Sequence, residues 1–187
     1  MKLVSYRTDG DVITGIGWGV VIEGEGGGVI RVGDDLIHRY PTIRAVIEAG
    51  AFDEIASRME GKVPSLSLSL DEIIYVPPLH DAEKVICIGV NYPKRHPVNG
   101  DVPPPDNISM FGKFEGSVVG HKDPLIQPPG DAANTMDYEG ELVLVIGKEG
   151  RFIAKEDAFD HICGYTIMND GSVREWQKHS VPAGKNF

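Results

Sequence analysis

The sequence is poor in cysteine, in basic residues and in long apolar runs, and each shortage excludes something. Its 187 residues include two cysteines, Cys87 and Cys163. They show no C-x-x-C spacing, which argues against a zinc ribbon. Both sit in apolar runs, "VICIGV" and "HICGYTI", so they read as buried, reduced thiols. Eighteen basic residues face 28 acidic ones, a net charge of −10. Nucleic acid is a poor partner for such a chain, because binding phosphates needs a basic footprint. A bound cation is compatible with it. No run approaches the ~18 consecutive apolar residues of a membrane span. The opening "MKLVSYRTDG" lacks the apolar core of a signal peptide and reads as a first strand. The expectation is a cytoplasmic protein with neither membrane nor nucleic acid as partner.

What is present is an ordinary globular composition, 41% hydrophobic and 25% charged. A chain of this length buries about 70% of its unfolded surface, enough for a real core. The first third alternates short strand-like runs, "LVSYR", "TGIGWGVVIEG" and "GGVIRVG", with Gly and Asp turns. "GIGWG" is no G-x-G-x-x-G fingerprint, so a dinucleotide site is not expected. Two helical patterns follow. "IRAVIEAG" has Thr42 as its cap and Gly50 at its end, and "AFDEIASRMEG" ends at Gly61. "SLSLSL" alternates as an edge strand does, and "IIYVPPLHDAEK" reads as a linker. The expected division is a small N-terminal β/α domain over 1–77 and a second domain over 78–187.

In the second part "KVICIGV" reads as a fully buried strand, and "NYPKRHPVNGDVPPPDN" as a long loop. "SMFGKF" and "SVVGHK" read as short strands, "KEDAFDHI" as a short helix and "ICGYTIMND" as a strand. "SVREWQKHS" reads as a helix with a Ser172/Glu175 capping box. The informative stretch is "TMDYEGELVLVIG", expected to be one strand over 136–147. Asp137, Glu139 and Glu141 then leave the same face, since side chains two apart in a strand do so. Either that face is solvated or something positive sits on it. Asp170 closes the next strand. Carboxylates drawn from two strands suit a hard cation such as Mg²⁺, Mn²⁺ or Ca²⁺. Asp137 is as readily a turn or capping residue as a ligand.

Five segments in order, "CIGVNYPKRH", "MFGKF", "MDYEGELVLVIGK", "GYTIMNDGSVREWQ" and "GKNF", together resemble the fumarylacetoacetate hydrolase (FAH) family. That family includes acylpyruvate hydrolases, oxaloacetate decarboxylases and isomerases of aromatic catabolism. The resemblance covers residues 80–187 strongly. It implies a mixed α/β, mostly β fold with a catalytic β-roll, and a dimer or higher oligomer. It also implies Glu139, Glu141 and Asp170 as ligands of Mg²⁺ or Mn²⁺, with Ca²⁺ as a substitute. Lys185 and Lys113 would stand near the metal and the substrate, a small 2-oxo acid or β-diketone. Arg174 is expected to pair with acids more than to touch substrate.

The reaction so implied is cleavage of a C–C bond, with decarboxylation or enol–keto isomerisation as the alternative. His96 is the candidate base, but "NYPKRH" is one residue longer than the family's usual spacing, and no glutamate follows it in "PVNG". A histidine without an orienting carboxylate is a poorer base. Family members continue past the position of Phe187 with further strands. The roll is therefore expected to be incomplete within these residues, and an inactive metal-binding fragment is a third reading.

Overall fold

The computed structural model describes residues 1–9, 15–24, 27–60, 67–94, 103 and 105–180. These form two compact units. The first comprises Met1–Ala82, Val119–Pro124 and Gly140–Met168, and the second Glu83–Val118, Leu125–Glu139 and the residues from Asn169 on. Among the described residues no helix is long and apolar enough to cross a membrane.

The first unit is built on strands β1 (Lys2–Thr8), β2 (Gly17–Ile22), β3 (Gly28–Arg31), β4 (Ser67–Leu68) and β5 (Ile73–Tyr75). They form one sheet in the order β4-β3-β2-β1-β5. Period-2 alternation sends Trp18 and Val20 of β2 to one face, where they meet the helices α1 (Asp34–Arg39), α2 (Ile43–Glu48) and α3 (Phe52–Met59). Leu36, Val46 and Ile55 from these helices are buried in that cluster. Trp18 Nε1 donates to the carbonyl of Tyr40 at 2.8 Å, so the indole is buried without an orphaned donor. Tyr6, Val29 and Ile73 form a second cluster. Gly19 has no room for a side chain against β3: a Cβ there would lie 2.5 Å from Val29 Cγ1 and 2.7 Å from the Ile30 carbonyl.

Helix α2 matches its sequence signals. Thr42 Oγ1 accepts from Ala45 N at 3.1 Å. Gly50 takes φ +61° as the chain leaves the helix, and Ala51 N returns to Val46 O at 3.0 Å. Thr42 Oγ1 also donates to Asp81 Oδ2 at 2.8 Å, and Ser5 Oγ to the Pro78 carbonyl at 2.7 Å. The segment expected to be a linker is held to the sheet and to α2 by these bonds. Its start, Ile73–Tyr75, is strand β5, paired antiparallel with β1.

The first unit also holds most of a two-stranded sheet of β9 (Gly140–Ile146) and β10 (Ile162–Asn169). A 3₁₀ turn, Lys155–His161, precedes β10. The second unit contains β6 (Val85–Gly89) paired antiparallel with β7 (Ser109–Lys113), Cys87 opposite Phe111. It also contains β8 (Met136–Asp137) paired with β11 (Ser172–Val173), and α4 (Arg174–Ser180).

Several expectations change here. The strand expected over 136–147 is two pieces, interrupted at Tyr138 and Glu139. "SVVGHK" forms no strand. "VICIG" is only half-buried, with Ile86 63% exposed, because β6 has a neighbour at its edge but no layer over that face among the described residues. Cys163 is exposed, since it falls on the open side of β10. Leu142, Leu144, Ile146, Tyr165 and Ile167 are exposed on β9 and β10.

The Ser172/Glu175 capping box does not form. Ser172 is drawn into β11 opposite Asp137, and its Oγ donates to the Asp170 carbonyl at 3.1 Å. Glu175 N donates instead to Thr135 Oγ1 at 3.0 Å, from the 3₁₀ turn Asp131–Thr135.

Candidate functional site

The site grows from the meeting of residues 137–139 with 169–177 in the second unit. Asp170 N donates to the Glu139 carbonyl at 2.8 Å, and Asn169 Oδ1 accepts from Glu139 N at 3.1 Å. Both backbone groups of Glu139 are therefore held, although it lies outside a regular strand. The carboxylate of Asp170 is nearly fully buried. A buried carboxylate costs several kcal/mol without a counter-charge, and Lys113 supplies one: its Nζ pairs with Asp170 Oδ1. Lys113 closes β7 opposite Val85, and its ammonium lies 5.9 Å from the centroid of the Phe111 ring.

A second cation holds the other acids. Arg174 Nη1 donates to Glu139 Oε1 at 2.5 Å, while Nε and Nη2 donate to Asp137 Oδ2 at 3.2 and 3.0 Å. Gln177, one turn along α4, accepts from Arg174 Nη1 at 3.1 Å and donates to Glu139 Oε1 at 3.4 Å. Burial pulls the Arg174 guanidinium down, but the Asp137 hydrogen bond and the Glu139 charge outweigh it and hold it above its ordinary value. A shallow hollow of about 200 Å³ adjoins this network, lined by Leu125, Met136, Asp137, Tyr138 and Asn169. A larger hollow of about 500 Å³ lies within residues 148–161 and contains none of the candidate residues.

Of the residues singled out from the sequence, the structure brings Glu139, Asp170 and Lys113 into one network. Glu141 lies on β9 in the first unit, on its half-buried side. His96 and Lys185 lie outside the described residues. Among the described residues no three His, Cys, Asp or Glu side chains converge as a metal cluster. Glu139 and Asp170 are instead each neutralised by a protein cation. The donor set still fits a hard divalent cation, because both groups are carboxylates that already demand positive charge. Arg174 pairs with acids, as expected. Sequence reasoning missed Asp137 as its clamp and Thr135 as the cap of α4. The D-x-E alternation signalled the first; nothing local signalled the second.

Comparison with known proteins fits this architecture. Residues 84–187 match the family described as "Fumarylacetoacetate (FAA) hydrolase C-terminal", more than half of the chain. The protein belongs to that family. It is 35% identical over 179 residues to human "Oxaloacetate tautomerase FAHD2A, mitochondrial", covering 95% of this chain and 54% of the relative. It is 37% identical over 136 residues to "Oxaloacetate tautomerase YisK" of Bacillus subtilis, covering 71% and 44%. A fumarylacetoacetate hydrolase from Exiguobacterium antarcticum superposes with a TM-score of 0.63 at 25% identity, over 100% of this chain and 60% of that one. Maleylpyruvate hydrolase from Sphingobium sp. SYK-6, solved with manganese(II) and pyruvate, shares the fold at a TM-score of 0.64 and 24% identity, over 93% and 60%. The chain spans about half the length of the human relative. Its mixed α/β, mostly β fold is an incomplete version of the family's.

Proposed function

We propose that the protein is a divalent-metal-dependent enzyme that interconverts the enol and keto forms of a small 2-oxo acid. The observation that carries this reading is the buried Asp170 carboxylate, paired to Lys113 and joined through its backbone to Glu139, in a chain whose relatives are named oxaloacetate tautomerases. Glu139, Glu141 and Asp170 would hold Mg²⁺ or Mn²⁺, with Ca²⁺ as a substitute. When bound, the cation supplies Lewis-acid stabilisation of negative charge on a carbonyl oxygen. Lys113 Nζ, an ammonium with three donors, would add charge stabilisation where an enolate develops, and Lys185 would add its charge to the same site. Arg174 and Gln177 fix Glu139 Oε1. We assign the catalytic part to residues 78–187, acting in a homodimer or larger assembly.

Hydrolytic C–C cleavage of an acylpyruvate-like substrate is the second reading, and His96 in "NYPKRH" favours it. Enol–keto exchange moves a proton between two atoms of one molecule; cleavage needs a base to activate water. The test is to mix the chain with Mn²⁺ and freshly dissolved enol-oxaloacetate and follow the loss of the enol's ultraviolet absorbance. Acceleration above Mn²⁺ alone, lost in Glu139→Gln, is expected. Cleavage of an acylpyruvate without enol loss would move the assignment to hydrolysis. Neither activity in a chain that binds Mn²⁺ would overturn both readings.

A further inference from the structure

Asp137 shares a sequence pattern with Glu139, but its chemistry in the structure is different. Its Oδ1 accepts from Tyr138 N at 2.9 Å, which fixes the carboxylate against its own backbone. Its Oδ2 takes two guanidinium donors of Arg174, Nε at 3.2 Å and Nη2 at 3.0 Å. That leaves Nη1 to reach Glu139 Oε1 and Gln177 Oε1. A guanidinium is a rigid planar fork, so fixing two of its nitrogens fixes the direction of the third. The strand pairing supports the same arrangement: Asp137 stands opposite Ser172, two residues before Arg174. All three charged side chains are about seven-tenths buried, with exposures of 31%, 29% and 27% for Asp137, Arg174 and Glu139. Water therefore competes only in part for these bonds.

We propose that Asp137 is a positioning residue of the metal site: it aims Arg174 at Glu139 Oε1, and so presents the other oxygen of Glu139, Oε2, to the cation. It is not itself a ligand. The proposal rests on the metal reading above. Partners behind a metal ligand set that ligand's orientation, and losing one lowers metal affinity about 10- to 100-fold.

The experiment is Mn²⁺ titration of the full chain by calorimetry, with thermal midpoints recorded for every variant. The set is wild type, Glu139→Gln, Asp137→Asn, Arg174→Gln and the Asp137→Asn/Arg174→Gln pair. Asp137→Asn keeps the shape of the side chain and is expected to weaken Mn²⁺ binding about tenfold or more. With Arg174 already replaced, adding Asp137→Asn is expected to change affinity by less than about twofold, because the link through Arg174 to Glu139 is then already broken. An equal loss in both backgrounds would mean that Asp137 acts by its charge alone, and would overturn the proposal. So would wild-type affinity in Asp137→Asn. A loss of affinity matched by a collapse of the thermal midpoint would mean a structural role, and overturns it too. Wild type that binds no Mn²⁺, or Glu139→Gln that binds as wild type does, would instead overturn the metal reading itself.

Discussion

Replacing Lys113 by Met removes the ammonium that faces Asp170 while keeping most of the side chain's stem. Asp170 has a side-chain exposure of 7% and Lys113 of 20%. Breaking one partner of a buried pair costs about 3–5 kcal/mol, because the remaining charge stays desolvated. The one-fifth exposure of Lys113 brings water near the pair, so the expected loss is at or just below the lower end, about 2–3 kcal/mol. Adding Asp170→Asn to Lys113→Met removes the orphaned charge and should restore most of it. Mn²⁺ should rescue the single variant more than it stabilises wild type, since no ammonium then has to leave Asp170. A cation at about 100 times its dissociation constant contributes about 2.7 kcal/mol to whichever form binds it.

The assay is urea unfolding with fluorinated tryptophan, whose two resonances report separately. Trp18 is buried in the first unit and Trp176 lies in the second. The Lys113 effect should appear at Trp176. Lys113→Met within about 0.5 kcal/mol of wild type, or a Mn²⁺ shift no larger than in wild type, would refute the reasoning that Lys113 stands in for a metal at Asp170.

Ile55, fully buried against the sheet, should cost about 2–5 kcal/mol on change to Ala, read at the Trp18 resonance. Thr135→Ala should lower stability by about 1 kcal/mol through uncapping α4, and Ser172→Ala by less; the reverse order in urea midpoints would restore Ser172 as the cap. Burial pushes the Cys163 thiol up despite its place on an exposed strand position, and its Sγ donates to Val145 O at 3.5 Å. The folded thiol stays protonated to higher pH, so labelling by a disulfide reagent should still be rising where that of a free cysteine has levelled off, and a plateau reached no later than the free cysteine's would contradict it. The apolar faces of β9 and β10 should bind the dye ANS in the folded chain, and Ile167→Lys should reduce that signal while changing stability by less than about 0.5 kcal/mol.

Much of this protein is written locally. The period-2 runs of β1, β2, β3, β7 and β10 and the Thr42-to-Gly50 helix need only neighbours in the chain to be recognised. The acids at 137, 139 and 141 and the pairing of Arg174 with acids could be read from one motif order. Tertiary structure decided what depends on a distant partner. "IIY" is a strand because β1 has an open edge, and Ser172 is in a strand, not a cap, because Asp137 lies across from it. Glu139 sits in a break between strands, held by Asn169 and Asp170. The counter-charge of Asp170 comes from Lys113, 57 residues away. Period, and a cap supplied from the helix's own segment as Thr42 supplies it to α2, are local properties, which the sequence determines by itself. Which strand closes an edge, and which cation a buried acid receives, are set by segments far apart in the chain, and those meetings exist only once the chain has folded.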